Sequence, residues 1–137
     1  MKTLKKIGLL ILPFLTIILE VLPFGAVLIF SPSPTERIRE TFSYFNAMTF
    51  GYGNFAPFIT AFLTCAIFPL AIVSIKHKKF CIAVLLVSLL ATVVSLLPLM
   101  QGSEYFTVVG VLITVTLALE SVLSVVWMKL NKGDQKK

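Results

Sequence analysis

The chain has 137 residues, of which 58% are hydrophobic and 13% are charged, and its mean hydropathy is +0.99. Soluble globular domains are about 45–50% apolar and about 25% charged. The composition therefore excludes an ordinary soluble enzyme, a disordered chain and a disulfide-rich secreted domain, and it predicts a single integral membrane domain over residues 1–137. The net charge of +6 favours the lipid bilayer rather than nucleic acid as a partner, because the basic residues lie in short clusters beside apolar runs.

Four apolar stretches reach the length of about 20 residues that a membrane-spanning helix needs. They cover approximately residues 7–30, 56–75, 80–100 and 106–128. We expect the first to be a retained span, because it is too long for the apolar region of a signal peptide and no A-x-A cleavage site follows it. The predicted fold is an all-α membrane protein, a four-span helical bundle.

The loop between the first two spans, residues 31–55, is long enough to contain structure of its own. Residues 33–36, Ser-Pro-Thr-Glu, match a capping box with proline at the first helical position. They predict a helix over about residues 34–46, with Ile38 and Phe42 on one apolar face. Such a short amphipathic helix would lie on the outer leaflet or cap the bundle, and a ligand-binding lid is the alternative.

The loop also carries charge of both signs. Arg37 and Arg39 could hold a lipid phosphate, but Glu36 and Glu40 stand beside them in the sequence. We expect the two acids to cancel most of the field of the two arginines.

The ten lysines and the two arginines divide between opposite sides of the predicted bundle. The lysines lie before the first span, in the turn at residues 76–79 and after the fourth span, whereas both arginines lie in the long loop. The positive-inside rule then places both termini in the cytoplasm and the protein in the plasma membrane. We expect Lys76, Lys78 and Lys79 to contact anionic headgroups, and Trp127 to be an aromatic anchor at the inner interface.

Two glutamates fall inside the predicted spans. Glu20 lies near the middle of the first span, and Glu120 lies in the inner half of the fourth. An ionised carboxylate in hydrocarbon costs about 2.5 kcal/mol or more, so we expect both side chains to face the bundle interior.

Hydroxyl side chains recur at helical spacing near these glutamates, and two interpretations remain open. They could line a path for a proton or small cation with Glu20 as the main carboxyl group. They could instead form interhelical hydrogen bonds worth about 0.6–1.7 kcal/mol each. The hydroxyls alone favour packing, whereas Glu20 fits both interpretations. The residues of the possible path are Glu20, Glu120, Thr16, Thr116, Ser124, Ser88, Thr92 and Ser95.

The sequence offers little for other chemistry. One histidine and two separated cysteines make a zinc site improbable. No G-x-S-x-G, P-loop or H-E-x-x-H motif occurs in the chain. We therefore expect no catalytic residue, no metal and no cofactor.

Several stretches resemble known membrane proteins. Residues 39–45 and 50–57 (Phe-Gly-Tyr-Gly-Asn-Phe-Ala-Pro), together with the span-one glutamate, resemble small four-span membrane proteins of bacteria, which implies topology alone. Residues 18–21, Ile-Leu-Glu-Val, are similar to the stretch around the proton-exchanging glutamate of small multidrug resistance transporters. This chain departs from those transporters in its long outer loop and in the absence of glycine from residues 88–95, so we treat the similarity as analogy.

A third comparison is with claudin-like tetraspans, which share the inside termini and the long first outer loop. The Trp and paired Cys of that loop are absent here, so none of their residue roles carries over.

These observations leave two hypotheses of different classes, ahead of a membrane-bound lipid enzyme as a distant third. The first is a non-enzymatic auxiliary or structural subunit that packs with itself or with another membrane protein. The second is a proton- or cation-coupled transporter that works as an oligomer, with Glu20 as the coupling carboxyl group and Glu120 in support.

Overall fold

A computed structural model describes residues 2–133 of the chain. It consists of helices interrupted by one small antiparallel sheet. The elements in chain order are α1 (Lys2–Val21), β1 (Ala26–Ser33), β2 (Glu36–Phe42), α2 (Ala47–Gly51), α3 (Ala56–Lys76), α4 (Phe80–Ser95), α5 (Leu97–Gln101), a 3₁₀ turn (Ser103–Tyr105) and α6 (Val108–Gly133).

Three helical segments are long and apolar enough to cross a membrane: Ala56–Lys76, Phe80–Gln101 and Val108–Leu130. They correspond to the second, third and fourth predicted spans, which are therefore confirmed as helices. The third segment is α4 continued by α5, and the helix is interrupted at Leu96, two residues before Pro98 in the first turn of α5. A proline removes one helical hydrogen bond and commonly produces such a break.

The prediction of a first span over residues 7–30 is wrong in its second half. Helix α1 ends at Val21, and residues 26–30 belong to β1. Pro23 and Gly25 follow the helix directly, and both residue types interrupt helices. The uncharged part of α1, residues 7–19, is only about 20 Å long at 1.5 Å per residue.

The predicted amphipathic helix over residues 34–46 is also wrong, and the all-α class is corrected with it. Strand β2 takes its place and pairs antiparallel with β1, with Val27 opposite Thr41 and Ile29 opposite Arg39. An isolated helix of this length is marginal in water. Pairing instead satisfies the backbone of the β-branched and aromatic run in β1. The capping-box residues Pro34 and Thr35 form the hairpin turn.

The four longer helical segments form an antiparallel ring. Helix α1 packs against α3 and α6, and α4 packs against the same two helices from the other side. Thr16 of α1 meets Thr116 of α6, and Lys6 lies over Trp127 further along. Helices α1 and α6 are therefore antiparallel.

The two ends of the bundle differ in character. The hairpin end carries β1 and β2, α2, α5 and the 3₁₀ turn. The lysine end carries the start of α1, the turn between α3 and α4, and the end of α6. The described lysines lie at this second end, as the charge distribution predicts, and Lys136 and Lys137 fall outside the described residues.

The outer surface of the helices is apolar, unlike that of a soluble protein, and polar side chains are buried together with apolar ones in the interior. Apolar side chains of α1 point outward, with Ile11 54%, Phe14 54% and Ile18 47% exposed. Thr16 and Glu20 point inward and are at most 1% exposed. Large contiguous apolar surface marks a membrane or an interface, and together with the three long apolar helices it indicates a membrane protein.

Gly25, between α1 and β1, is required by a close contact. A Cβ atom there would lie 2.8 Å from Cδ1 of Tyr44, whereas one at Gly51 would meet nothing within 4 Å. Overpacking of this kind costs about 1–3 kcal/mol. We expect Gly25→Ala to lower the midpoint of thermal unfolding in detergent and Gly51→Ala to leave it nearly unchanged. Equal midpoints for the two variants would contradict the packing described here.

Candidate functional site

Two similar helical turns face each other at the centre of the bundle. Thr16 precedes Glu20 by four residues on α1, and Thr116 precedes Glu120 by four residues on α6. The hydroxyl of Thr16 lies 2.9 Å from that of Thr116 and 2.8 Å from the carbonyl oxygen of Leu12. Because the helices are antiparallel, Glu20 lies on the hairpin side of this threonine pair and Glu120 on the lysine side.

Glu20 occupies the last turn of α1 rather than the middle of a span. The Thr64 hydroxyl on α3 donates to Oε1 of Glu20 at 2.8 Å, and Oε2 has no partner among the described residues. The backbone N–H of Tyr44 donates to the Glu20 carbonyl oxygen at 2.9 Å. Glu20 therefore joins three parts of the fold: α1, α3 and the segment that follows the hairpin.

Glu120 is buried in the middle of α6, and its environment is different. Neither of its carboxyl oxygens has a hydrogen-bond partner within the described part of the chain. One turn further on, the Ser124 hydroxyl is also buried without a partner there, and so is Nε1 of Trp127. These three side chains lie at i, i+4 and i+7, which places them on one face of the helix.

Cys81 of α4 packs against this face of α6. Its Sγ atom lies 3.5 Å from the backbone carbonyl oxygen of Ser124, and the side chain is 1% exposed. At the lysine end, Nζ of Lys6 lies 5.9 Å from the centroid of the Trp127 ring. Trp127 is 3% exposed, so the prediction that it anchors the protein at the membrane interface is wrong.

The hydroxyls of α4 serve the contact with α6. Ser88 accepts a hydrogen bond from Ser121 at 2.9 Å, and Ser95 lies 2.9 Å from the hydroxyl of Thr114. Thr92 donates to the backbone carbonyl oxygen of Ser88 at 2.7 Å. Ser88 and Ser95 also lie within hydrogen-bond distance of carbonyl oxygens on their own helix.

The eight residues predicted to form a path therefore divide into two groups. Thr16, Glu20, Thr116, Glu120 and Ser124 lie along the contact of α1 with α6 and on the face that continues from it. In the second group, on α4, Ser88 and Ser95 form hydrogen bonds with α6, whereas Thr92 bonds only within α4. Along the bundle axis the two glutamates are about 12 Å apart, from four residues on either side of the threonine pair at 1.5 Å each.

The predicted headgroup contacts lie at the lysine end. Lys76 ends α3, and Lys78 and Lys79 are exposed in the turn before α4. In the described residues, no group of three His, Cys, Asp or Glu side chains is placed to hold a metal ion.

The hydrogen-bond partner of Glu20 was not predicted. The Thr64 contact with Glu20 requires that the first and second helices be neighbours, which sequence spacing does not reveal. The two glutamate turns themselves were predicted, and they share one sequence pattern: residues 16–20 read Thr-Ile-Ile-Leu-Glu and residues 116–120 read Thr-Leu-Ala-Leu-Glu. This repetition of Thr-x-x-x-Glu marks both turns of the site.

The chain matches no family model, no curated protein and no solved structure. The geometry of the glutamates is therefore the basis for a functional proposal.

Proposed function

We propose that the protein is a small multi-pass membrane protein that carries protons, with Glu120 as the principal proton-binding group and Glu20 as a second one. The observation that carries the proposal is the enclosure of Glu120, whose two carboxyl oxygens are buried without a partner among the described residues. Ionisable groups inside membrane bundles are costly and are commonly retained for function. For packing alone, an apolar side chain would serve better at this position.

A proton suits this environment better than a larger cation does. Glu20 and Glu120 are at most 1% exposed, so a metal or an organic cation would need space and several new oxygen ligands. A proton needs neither, because it binds to a carboxyl oxygen directly. The Thr16–Thr116 hydroxyl pair lies between the two glutamates and provides an intermediate hydrogen-bonding point.

The proposal includes α1 as a fourth membrane span, with both termini cytoplasmic in the plasma membrane. Support comes from its position between α3 and α6, and from its apolar outward face. Because its uncharged part is short, the bilayer would thin locally, or the Lys6 side chain would extend to the headgroups. The lysine end would face the cytoplasm by the positive-inside rule.

A second candidate, the auxiliary subunit that packs with itself or with another membrane protein, is favoured by a different observation. The hydroxyls of Ser88, Thr92 and Ser95 lie within hydrogen-bond distance of carbonyl oxygens on their own helix. This is how hydroxyls behave at packed helix interfaces. The α4 hydroxyls therefore support a packing role for this part of the bundle.

Proton flux in proteoliposomes under an imposed pH gradient separates the two candidates. We expect the wild type to conduct above empty liposomes and Glu120→Gln to fall to the level of empty liposomes, because an amide cannot release a proton. Glu40→Gln, a change at an exposed glutamate of β2, is the matched control and should conduct like the wild type. Wild-type flux in Glu120→Gln would contradict the role of Glu120. Absence of flux in the wild type would favour the subunit.

A further inference from the structure

We propose that a cleft at the hairpin end binds the phosphate group of an anionic phospholipid. The cleft has a volume of about 470 Å³ and lies between the hairpin and the turn at residues 101–105. Its polar lining includes Ser31, Arg37, Gln101 and Ser103. The proposal is independent of proton carriage, because these residues lie outside the helical contacts around the glutamates.

The strand places the two arginines and the two glutamates of β2 on opposite faces of the hairpin. The expectation that the glutamates cancel the field of the arginines is therefore corrected. Side chains alternate between the two faces of a strand, so Arg37 and Arg39 share one face of β2 while Glu36 and Glu40 lie on the other. Contacts agree with this assignment: Nε of Arg39 donates to the backbone carbonyl oxygen of Glu104 at 3.1 Å. Arg37 lines the cleft on the same side.

Arg39 and Gly102 keep the wall of the cleft in place. The bond from Arg39 fixes the 3₁₀ turn against the hairpin. Gly102 has φ +142°, a conformation that residues with a side chain rarely adopt. Arg37 then presents an exposed guanidinium to a cleft of preset shape.

The chemistry of the lining suits a phosphate ester. Guanidinium groups bind phosphate oxygens through paired, charge-assisted hydrogen bonds. The Ser31 and Ser103 hydroxyls and the Gln101 amide can bind the remaining oxygens or the hydroxyls of a headgroup. Within the lining the charges of Arg37 and Glu104 balance. Arg39, whose Nε donates to the Glu104 carbonyl oxygen at the edge of the cleft, adds one positive charge beside it.

The residues around the cleft favour a phospholipid rather than free phosphate as the source of the bound phosphate group. Met100 is 84% exposed and Val108 is 78% exposed, and these two residues flank the turn at 101–105 in the chain. Apolar side chains beside a polar cleft can contact acyl chains while the phosphate occupies the cleft. The cleft also lies at the end of the apolar helices, where headgroups are concentrated.

Photocrosslinking can test this site separately from the lysine end. Protein in nanodiscs would receive phosphatidylglycerol with a photoreactive headgroup, and crosslinked peptides would be mapped by mass spectrometry. We expect crosslinks at residues 101–105 in the wild type. In Arg37→Gln they should fall by at least about tenfold, the effect of losing one charge-assisted hydrogen bond, while crosslinks at the lysine turn persist. Lys79→Gln, which removes one charge elsewhere, should leave the 101–105 crosslinks within about twofold, because it does not touch the cleft.

Two further arms distinguish the source of the phosphate. A photoreactive diacylglycerol, which lacks phosphate, should not label residues 101–105, and millimolar inorganic phosphate should not displace the labelled lipid. Equal labelling in Arg37→Gln and the wild type would overturn the site. Displacement by inorganic phosphate would overturn the lipid as its ligand. Circular dichroism of each variant confirms that the comparison is made on folded protein.

Discussion

Glu120→Leu should stabilise the protein while it abolishes proton flux. In the described structure both carboxyl oxygens of Glu120 are buried without a partner. An unsatisfied buried polar group costs about 1–3 kcal/mol, and leucine removes that cost at a similar volume. We expect a higher midpoint of thermal unfolding in detergent and flux no greater than that of empty liposomes.

Glu120→Gln is the control that separates the two effects. Glutamine keeps the shape and the polarity of the buried group but cannot release a proton. Its unfolding midpoint should stay close to that of the wild type, while its flux should be lost as in Glu120→Leu. A lower midpoint for Glu120→Leu would mean that Glu120 has a stabilising partner in the membrane, and it would remove the main support for proton carriage.

Hydropathy correctly predicts the helices that are apolar along their whole length. The predicted second, third and fourth spans correspond to α3, to α4 with α5, and to α6, because long apolar runs have few alternatives to a spanning helix. Charge distribution likewise predicted that the lysines of the described residues share one end of the bundle.

The residues from 21 to 46 were predicted poorly, for a physical reason. Residues 26–30 are apolar, so hydropathy alone extends the first span through them. Whether such a run is strand or helix depends on a pairing partner, and the partner is β2. The capping-box pattern was misleading because serine, proline and threonine also favour turns.

The inward placement of the two glutamates was predicted from the cost of burying a carboxylate in lipid, and the structure agrees. The partner of Glu20 and the pairing of the two threonines could not be predicted, since they depend on which helices are neighbours. The Thr64 contact requires α1 beside α3, and the Thr16–Thr116 contact requires α1 beside α6. Sequence spacing identifies a helical face but not the helix that it meets.

Tyr44→Ala should be the most destabilising of the changes considered at the hairpin end. The Tyr44 ring is 1% exposed, and it packs with Ile113 and Ala26 in the buried core and closely against Gly25. Removing a buried aromatic side chain costs about 3–5 kcal/mol, which includes the cavity left behind. We expect a large fall in the unfolding midpoint and faster trypsin cleavage in the hairpin.

Tyr44→Phe tests whether the ring or the hydroxyl is responsible. The hydroxyl oxygen would lie 3.4 Å from a Cβ atom at Gly110, so the group is closely surrounded, and its loss should cost no more than about 1.5 kcal/mol. The backbone N–H of Tyr44 donates to the Glu20 carbonyl oxygen, and this bond is available in all three proteins. A difference between the variants therefore reports on the buried ring. If Tyr44→Ala matched Tyr44→Phe in unfolding midpoint and cleavage rate, the ring could not be what fixes the hairpin end to the bundle.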